Sequence, residues 1–247
     1  MAQSYYHKVK IDSRDVDGHG NCKASAILGH LQEAATQAAE HGGFGRSALL
    51  DRYNSFWMLT RTWYRLNRPL HWDEELTIHT WHRGGKAVTS YRDYDLYVGE
   101  EKVGEGTAIW VFADMVDRKL LRLKNLEELQ GTDGGELCKD RILTKLRKPE
   151  VLTQVEQRPM RYSDTDINGH VNNTRYADFA CDAVHMDRLE NGRFLAGMQI
   201  GYLAECRPGE VLSIQTGEME DHTYVCGLDE SGKARFEAAL FFGEVCS

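Results

Sequence analysis

Three polar residues in the second half of the chain, Asp166, Asn168 and His170, have the types and spacing of a hydrolytic site. They stand at alternate positions, so an extended backbone would project all three side chains from one face. Together they provide a carboxylate, an amide and an imidazole. Hydrolysis of a thioester needs a base or nucleophile, a donor to the developing oxyanion and a proton donor for the departing thiolate. The set is therefore a candidate for that chemistry.

A fourth candidate, Glu205, follows a strand predicted at residues 199–203. It is either an exposed edge residue or an acid facing a cleft, where burial would raise its pKa and suit it to proton transfer. Cys206 and His170 could also form a nucleophilic pair. Strand alternation disfavours that pair, because a side chain next to an inward-facing Glu205 points to the opposite face, as a core cysteine would.

Two other interpretations of the Asp-Asn-His segment involve no catalysis. Asp and Asn before a helix commonly cap it, and Asn-Gly is typical of a turn. The segment from Asp164 also begins like an EF-hand calcium loop, but its twelfth position is Arg175, where a bidentate Glu is required. Calcium is therefore not predicted. No Cys/His ligand spacing occurs, and we predict neither a metal nor a cofactor.

The elements that must position these residues occur twice along the chain. In the first copy, residues 5–13 read as extended, and apolar residues at three- and four-residue spacing over 27–38 predict a helix that ends at Gly42-Gly43. Aromatic and β-branched runs predict strands at 56–66, 76–82, 89–98 and 107–112, with hairpin turns at 84–85 and 99–101. Trp57, Trp63 and Trp110, within these strands, are expected to build core or line an apolar pocket.

The second copy repeats this order. An extended segment at 158–162, a polar turn and a helix carrying Tyr176 and Phe179 precede strands at 199–203, 211–217, 223–228 and 233–242. We place the boundary near residue 140, which gives an N-terminal copy at 1–139, a C-terminal copy at 140–247 and a linker near 127–149. A helix followed by an antiparallel sheet, twice over, predicts an α+β fold in which each sheet covers its own helix.

The polar turns of the two copies differ in their reactive residues. The first turn offers Asp15, Asp17 and His19. Its sequence aligns with that of the second turn if the first turn is taken to lack two residues. It lacks the intervening Asn, and the place that corresponds to Glu205 falls around Pro69-Leu70, which is apolar. We therefore expect the first copy to keep the fold without the chemistry.

The composition of the whole chain excludes some classes of protein. The 247 residues are 41% hydrophobic and 28% charged, and the net charge of −8 argues against general binding to nucleic acid. We find no apolar run of about 18 residues and no signal or transit pattern at the start, so we expect a cytoplasmic protein without a membrane span. The six cysteines lack CxxC spacing and are expected to be reduced thiols.

Three passages resemble the acyl-acyl-carrier-protein (acyl-ACP) thioesterases, a family of plant plastid enzymes and bacterial relatives. They are Leu-Gln-Glu-Ala-Ala at 31–35, Trp-Met-Leu-Thr-Arg at 57–61 with Thr-Trp at 80–81, and the most specific, Asp-Thr-Asp-Ile-Asn-Gly-His-Val-Asn-Asn-Thr-Arg-Tyr at 164–176. The resemblance implies a double hotdog fold, in which two sheets, each wrapped around a long helix, pair with each other. It also implies hydrolysis of fatty acyl-ACP to free fatty acid and holo-ACP, which terminates fatty acid synthesis.

The resemblance also assigns roles to the candidate residues. Asp166, Asn168 and His170 match the family's catalytic segment, and Glu205 matches an acid that precedes a cysteine. We interpret Glu205 and His170 as groups that position and deprotonate water. In the same interpretation Asn168 holds the thioester carbonyl and Asp166 orients its neighbours, while direct attack by Asp166 stays an open variant.

The implied partner is an acyl carrier protein bearing an acyl-phosphopantetheine. That carrier is strongly acidic, so we expect it to dock on a locally basic surface. Two clusters are candidates: Arg118, Lys119, Arg122 and Lys124, or Lys139, Arg141, Lys145, Arg147 and Lys148. Rival functions are an acyl-CoA thioesterase, a hotdog dehydratase and a non-catalytic acyl-binding module, although the complete polar set argues against the module. A homodimer is a possible assembly.

Overall fold

The computed structural model describes residues 4–122, 143–189 and 192–245, and these stretches contain three α-helices and ten strands. The helices are α1 (Ala24–His41), α2 (Arg46–Tyr53) and α3 (Asn173–Ala183). The first five strands are β1 (Tyr5–Lys10), β2 (Ser55–Leu66), β3 (Glu75–Lys86), β4 (Thr89–Val98) and β5 (Glu101–Asp114). The other five are β6 (Thr153–Pro159), β7 (Arg193–Tyr202), β8 (Val211–Glu218), β9 (Thr223–Leu228) and β10 (Ala234–Glu244). Two 3-10 turns lie at Tyr162–Asp164 and Met186–Arg188.

All ten of these strands join one antiparallel sheet. The order is β1-β3-β4-β5-β2-β7-β10-β9-β8-β6, so each half of the sheet is the mirror of the other in strand order. The halves meet where β2 pairs with β7, with Trp63 opposite Gln199. The prediction of an α+β fold built from two paired helix-and-sheet copies is confirmed.

The two central helices pack against each other and against one face of the sheet. The apolar stripe predicted for α1 is buried, with Ile27, Leu31 and Ala34 at most 2% exposed. The helix contacts α3, whose Phe179 and Ala180 are fully buried in the same core. This continuous core fixes the helices, and with them the turns that precede each helix.

Several predicted boundaries are wrong at glycines and at strand ends. β3 continues through Gly84 and Gly85 to Lys86, so these glycines are not a hairpin turn. The register of β3 against β4 shifts between His82 and Gly84, and Gly84 has φ +103°, which is how glycine serves a bulge within a strand. β7 begins at Arg193, earlier than predicted, and α2 was not predicted at all.

The predicted copy boundary at residues 139 and 140, and the central part of the linker, lie outside the described residues. Beyond that gap, Leu143 is buried against Trp63 and Ile109. The described cysteines, Cys22, Cys181, Cys206 and Cys226, are free thiols. No helix in the described stretches is both long and apolar enough to cross a bilayer.

Candidate active site

The segment from Asp166 to His170 is a tight turn, as the sequence predicts, and not the extended backbone that would project alternate side chains from one face. The backbone N–H of Asp166 donates to the carbonyl of His170 at 2.9 Å, and Gly169 N–H donates to the Asp166 carbonyl at 3.0 Å. Gly169 has φ +74°, a left-handed conformation that glycine adopts readily. The turn, rather than strand alternation, brings the polar side chains to one place.

Both ends of this turn are anchored. Before it, the buried carboxylate of Asp164 accepts from Arg161 N–H at 2.8 Å and lies 3.4 Å from the Arg175 guanidinium. After it, the side chain of Asn172 caps α3 by accepting from Thr174 N–H at 3.0 Å. The residue that caps α3 is therefore Asn172, and not Asp166 or Asn168 as the capping interpretation would have it. The guanidinium beside Asp164 is incompatible with the calcium loop already rejected from the sequence.

Glu205 lies in the loop after β7, three residues beyond the last strand residue Tyr202, and not on the strand itself. The backbone holds this loop beside the turn, because Val171 N–H donates to the Cys206 carbonyl at 2.9 Å. The guanidinium of Arg235 also donates to the Glu205 carbonyl at 2.7 Å. Two backbone contacts thus fix the position of Glu205 relative to the turn.

His170 and Glu205 are brought together. His170 Nε2 lies 3.3 Å from Glu205 Oε2, with the imidazole only 13% exposed and the carboxylate 50% exposed. The other carboxylate oxygen, Oε1, lies 3.6 Å from Nη1 of Arg118. The half-exposed carboxylate of Glu205 is therefore held between a mostly enclosed imidazole and a guanidinium.

Asp166 and Asn168 form a second pair. The Asp166 carboxylate accepts from the backbone N–H of Asn168 at 2.8 Å and lies 3.4 Å from its side-chain Nδ2. On the other side, Arg46 Nη1 donates to Asn168 Oδ1 at 3.2 Å. These contacts orient the Asn168 amide. Its Oδ1 accepts a hydrogen bond from Arg46, and its NH₂ group, beside Asp166, has a second hydrogen that can be donated to a ligand.

All four predicted residues line one cavity of about 1010 Å³. The first copy also lines the cavity, through the C-terminal half of α1, α2, the start of β2 and part of β5. Its apolar lining residues include Ala35, Ala39, Leu49, Trp57, Leu59 and Trp110. Trp57 and Trp110 thus line the pocket, as expected for one of the two roles considered, whereas Trp63 belongs to a separate buried cluster. The volume is at the upper end of the range of about 300–1,000 Å³ for ligand pockets.

Cys206 is fully buried in the main core. Burial raises the pKa of its thiol, which disfavours the reactive thiolate. The structure therefore supports the view that this cysteine is a core residue, although the strand alternation from which that was argued ends before it.

The polar turn before α1 has the same backbone hydrogen bonds as the turn before α3. Asp17 N–H donates to the Asn21 carbonyl at 2.9 Å, and Gly20 N–H donates to the Asp17 carbonyl at 3.1 Å. The carboxylate of Asp17 accepts from His19 N–H at 2.8 Å. Gly20 has φ +79°. Asp17 and Gly20 are thus the counterparts of Asp166 and Gly169.

The two turns align without a gap, so the predicted loss of two residues from the first turn is wrong. His19 occupies the place of Asn168, and Asn21 occupies the place of His170. The sequence comparison matched the histidines to each other, but the backbone register places them two residues apart. Cys22 N–H donates to the Leu70 carbonyl at 2.7 Å, which puts Pro69 in the place of Glu205, within the pair Pro69-Leu70 expected from the sequence.

Sequence reasoning missed one residue of the site and gave another a different role. Arg46, at the start of α2, reaches the candidate amide, and its helix carried no sequence signal. Arg118 was noted only as a member of a basic cluster, yet it faces Glu205 and stacks over the Phe56 ring at 4.8 Å. Both arginines come from the first copy, far in sequence from the residues that they contact.

Two family models match the chain in succession. The acyl-ACP thioesterase N-terminal domain matches residues 2–128, and the acyl-ACP thioesterase C-terminal domain matches residues 148–238. Among curated relatives, a chloroplastic dodecanoyl-ACP hydrolase of Cinnamomum camphora is 27% identical over 224 residues, 83% of this chain and 57% of that protein. A chloroplastic palmitoyl-ACP thioesterase of Gossypium hirsutum is 24% identical over 86% of this chain and 54% of that protein. The chain thus spans a little over half the length of these relatives.

Solved structures share the fold over nearly the whole chain. An acyl-ACP thioesterase from Bacteroides thetaiotaomicron has a TM-score of 0.79 at 22% identity, with 97% of this chain and 98% of that chain covered. A 12:0-ACP thioesterase from Umbellularia californica has a TM-score of 0.80 at 19% identity, with 98% and 97% covered. The double hotdog fold implied by the sequence is confirmed. By its match to both domains in order, the chain belongs to the acyl-ACP thioesterase family.

Proposed function

We propose that the protein hydrolyses fatty acyl-ACP thioesters to free fatty acid and holo-ACP, and thereby terminates fatty acid synthesis. The observation that carries the proposal is the contact of His170 with Glu205 at 3.3 Å on the wall of a large, partly apolar cavity. A proton-accepting pair beside an acyl-sized cavity is what hydrolysis of a long-chain thioester requires. Membership of the family supports the same reaction.

In the proposed reaction, water adds to the thioester carbonyl carbon while His170 and Glu205 accept its proton. The tetrahedral intermediate then collapses, the carbon–sulfur bond breaks, and the pair returns a proton to the leaving thiolate. The products are a carboxylic acid and the phosphopantetheine thiol, so one water is consumed. General acid–base catalysis of this kind contributes about 10²–10⁴-fold to the rate.

Asn168 is proposed to hold the thioester carbonyl through its side-chain NH₂. Its Oδ1 already accepts from Arg46, and its backbone N–H donates to Asp166, so the amide is fixed from both sides. A donor fixed before reaction stabilises the developing oxyanion without reorganising. Asp166 is then a positioning residue.

Direct attack by Asp166 is the alternative for the bond-forming step. An Asp166→Asn variant distinguishes the two roles, because an amide oxygen still accepts from Asn168 N–H but an amide is not a nucleophile. Under the positioning role we expect Asp166→Asn to retain at least about tenfold more activity than Asp166→Ala. Equal loss of activity in both variants would favour attack by Asp166.

The experiment that tests the function compares kcat/KM for one acyl group carried on ACP and on coenzyme A, over several chain lengths. We expect hydrolysis of both, with the ACP thioester preferred. A preference for the CoA thioester would make the protein an acyl-CoA thioesterase. Binding without release would make it an acyl-binding module, and loss of water from a 3-hydroxyacyl thioester would make it a dehydratase.

We also infer which part of the site each copy supplies and which surface the carrier protein docks on. The copy boundary is placed near residue 140, with the first copy lining the acyl chain and the second supplying the reactive groups. Of the two basic clusters, the one around Arg118 suits docking better, because Arg118 contacts Glu205 and a phosphopantetheine arm must deliver its thioester there. Lys119 and Arg122 in that cluster are exposed, whereas Lys124, Lys139 and Arg141 lie outside the described residues.

A further inference from the structure

Part of the cavity wall formed by β2, β3 and β4 is polar, which an alkyl chain does not need. Four residues form this polar patch: Thr60 of β2, His82 of β3, and Ser90 and Arg92 of β4. Within it, His82 Nε2 and Ser90 Oγ are 2.7 Å apart. Apolar residues of α1 line the same cavity.

Arg92 is the strongest feature of the patch. Its Nη1 donates to Thr80 Oγ1 at 3.3 Å, which uses one of five N–H donors. The next residue, Asp93, points to the opposite face of β4, where its Oδ2 lies 3.0 Å from Arg83 Nε. Among the described residues, no carboxylate forms an ion pair with Arg92. The guanidinium therefore lines the cavity with no carboxylate in direct contact, and Asp93 acts on it only at longer range.

The surroundings of Arg92 lower the affinity expected for a plain alkyl ligand. Burial lowers the pKa of the Arg92 guanidinium, as expected for a cation held away from bulk water. A saturated acyl chain would displace water from the guanidinium and offer no acceptor in return. An unsatisfied buried donor is penalised, and a charged one more strongly.

Arg92 is separated from the reactive groups by part of the sheet, whereas Thr60 lies on β2 itself. The start of β2 lies near Glu205, and β5 and then β4 follow it across the sheet. Adjacent strands are about 4.8 Å apart, so Arg92 lies about 10 Å across the sheet from β2. An acyl chain with its carbonyl at Asn168 would reach the patch with carbons well beyond the thioester.

We propose, resting on the function proposed above, that the acyl chains taken by this protein carry an acceptor oxygen, as a carboxylate or hydroxyl remote from the thioester, which Arg92 binds. A carboxylate would match the guanidinium in charge and in its two-point geometry. A hydroxyl would satisfy the donors without neutralising the charge.

The test uses matched acyl-ACP substrates that differ only in ending with a methyl, a hydroxyl or a carboxylate, at several chain lengths. For the wild-type protein we expect kcat/KM to be at least about tenfold higher for an oxygen-bearing chain than for the methyl-ended chain of the same length. Arg92→Met should remove that preference, and Arg65→Met, whose side chain pairs with Glu105 away from the cavity, should retain it. The ratio of hydroxyl to carboxylate rates identifies which oxygen is recognised.

Two results would overturn the proposal. One is a wild-type protein that prefers methyl-ended chains at every length, and the other is an Arg92→Met variant that loses activity equally on all substrates, as a structural role would predict. If no acyl-ACP is hydrolysed, the proposed function fails separately. Calorimetric binding of the free hydroxy acids, dicarboxylic acids and fatty acids to wild-type and Arg92→Met protein then still decides whether Arg92 recognises the oxygen.

Discussion

His170 and Glu205 come from different loops, and each occupies a different environment. The imidazole is mostly enclosed, whereas half of the carboxylate surface is exposed and its second oxygen faces Arg118. The contact depends on the hydrogen bond of Val171 N–H to the Cys206 carbonyl, which joins the two loops. The buried Cys206 side chain thus serves the site through its backbone and its packing.

Substitutions at these residues are expected to separate catalysis from structure. His170→Ala and Glu205→Ala should each lower kcat for acyl-ACP by about 10²–10⁴-fold with little change in the melting temperature, because each removes a proton-transfer group from the cavity wall. Cys206→Ala should keep near-wild-type kcat and lose about 1 kcal/mol of unfolding free energy. Near-wild-type turnover in His170→Ala or Glu205→Ala would rule out the assignment, and an inactive but folded Cys206→Ala would restore the thiol as a nucleophile.

At the scale of elements, the two polar turns provide a matched pair for experiment. They share their backbone hydrogen bonds and a left-handed glycine, Gly169 in one and Gly20 in the other. A Cβ added at either glycine would meet no atom within 4 Å, so the cost of substitution is the backbone conformation alone. The turns differ only in what their side chains reach.

Gly169→Ala and Gly20→Ala are therefore expected to have the same effect on stability and different effects on rate. Each should lower the unfolding free energy by about 1 kcal/mol, because alanine disfavours positive φ. Only Gly169→Ala should also lower kcat, by at least about tenfold, since it shifts groups that must be held in place for reaction. Chemical denaturation and steady-state kinetics on both variants check this, and equal kcat values in the two would contradict it.

β4 carries a second element-scale prediction. Asp93 is fully buried, and burial outweighs the nearby Arg83 to raise the pKa of its carboxyl to about 6 from an ordinary value of 3.8. Between these values the folded protein holds more protons than the unfolded chain, so the contribution of Asp93 to stability falls as the pH rises from about 4 to about 6.

Asp93→Asn removes this titration. From pH 4 to pH 7, the unfolding free energy of the variant should rise relative to that of the wild type by up to about 3 kcal/mol. Urea denaturation at both pH values measures the difference. The exposed Asp187→Asn is the control and should show a constant offset. A constant offset for Asp93→Asn as well would show that its pKa is not raised.

The same elements show how far the sequence alone determines the structure. The α1 stripe and most strands follow from periodicity, because a buried face imposes its spacing on the sequence. The turn at Asp166 could not be distinguished from an extended segment, since polar residues at alternate positions fit both. Arg46 and Arg118 could not be placed at the site because their contacts cross between the copies, and no local pattern reports such contacts. The four residues predicted from the sequence nevertheless all line one cavity in the structure.

At the scale of the whole molecule, the charge balance would make the proposed docking of an acidic carrier sensitive to salt. The net charge of −8 repels a strongly acidic partner, so attraction must come from a local basic surface. KM for acyl-ACP should therefore rise with ionic strength while kcat stays constant.

A charge-reversal pair identifies the surface. Lys119→Glu with Arg122→Glu should raise KM for acyl-ACP by about tenfold and flatten its salt dependence. Lys145→Glu with Lys148→Glu, which changes the net charge equally on the other cluster, should have little effect. The opposite pattern would move docking to the second cluster, and a KM independent of salt in the wild type would remove electrostatic docking.

The β2–β7 seam joins two copies within one covalent chain. In a symmetric dimer of identical chains, every substitution appears in both subunits. A change that improves the site of one subunit therefore also alters the equivalent site of the other. Here the equivalent positions are free to differ: Asn21 and Pro69 stand in one half where His170 and Glu205 stand in the other. If the reactive groups lie only in the second half, as proposed above, the first half can change its share of the cavity wall without altering them. Substrate range and reactivity would then be inherited as separate traits on the two halves of the chain.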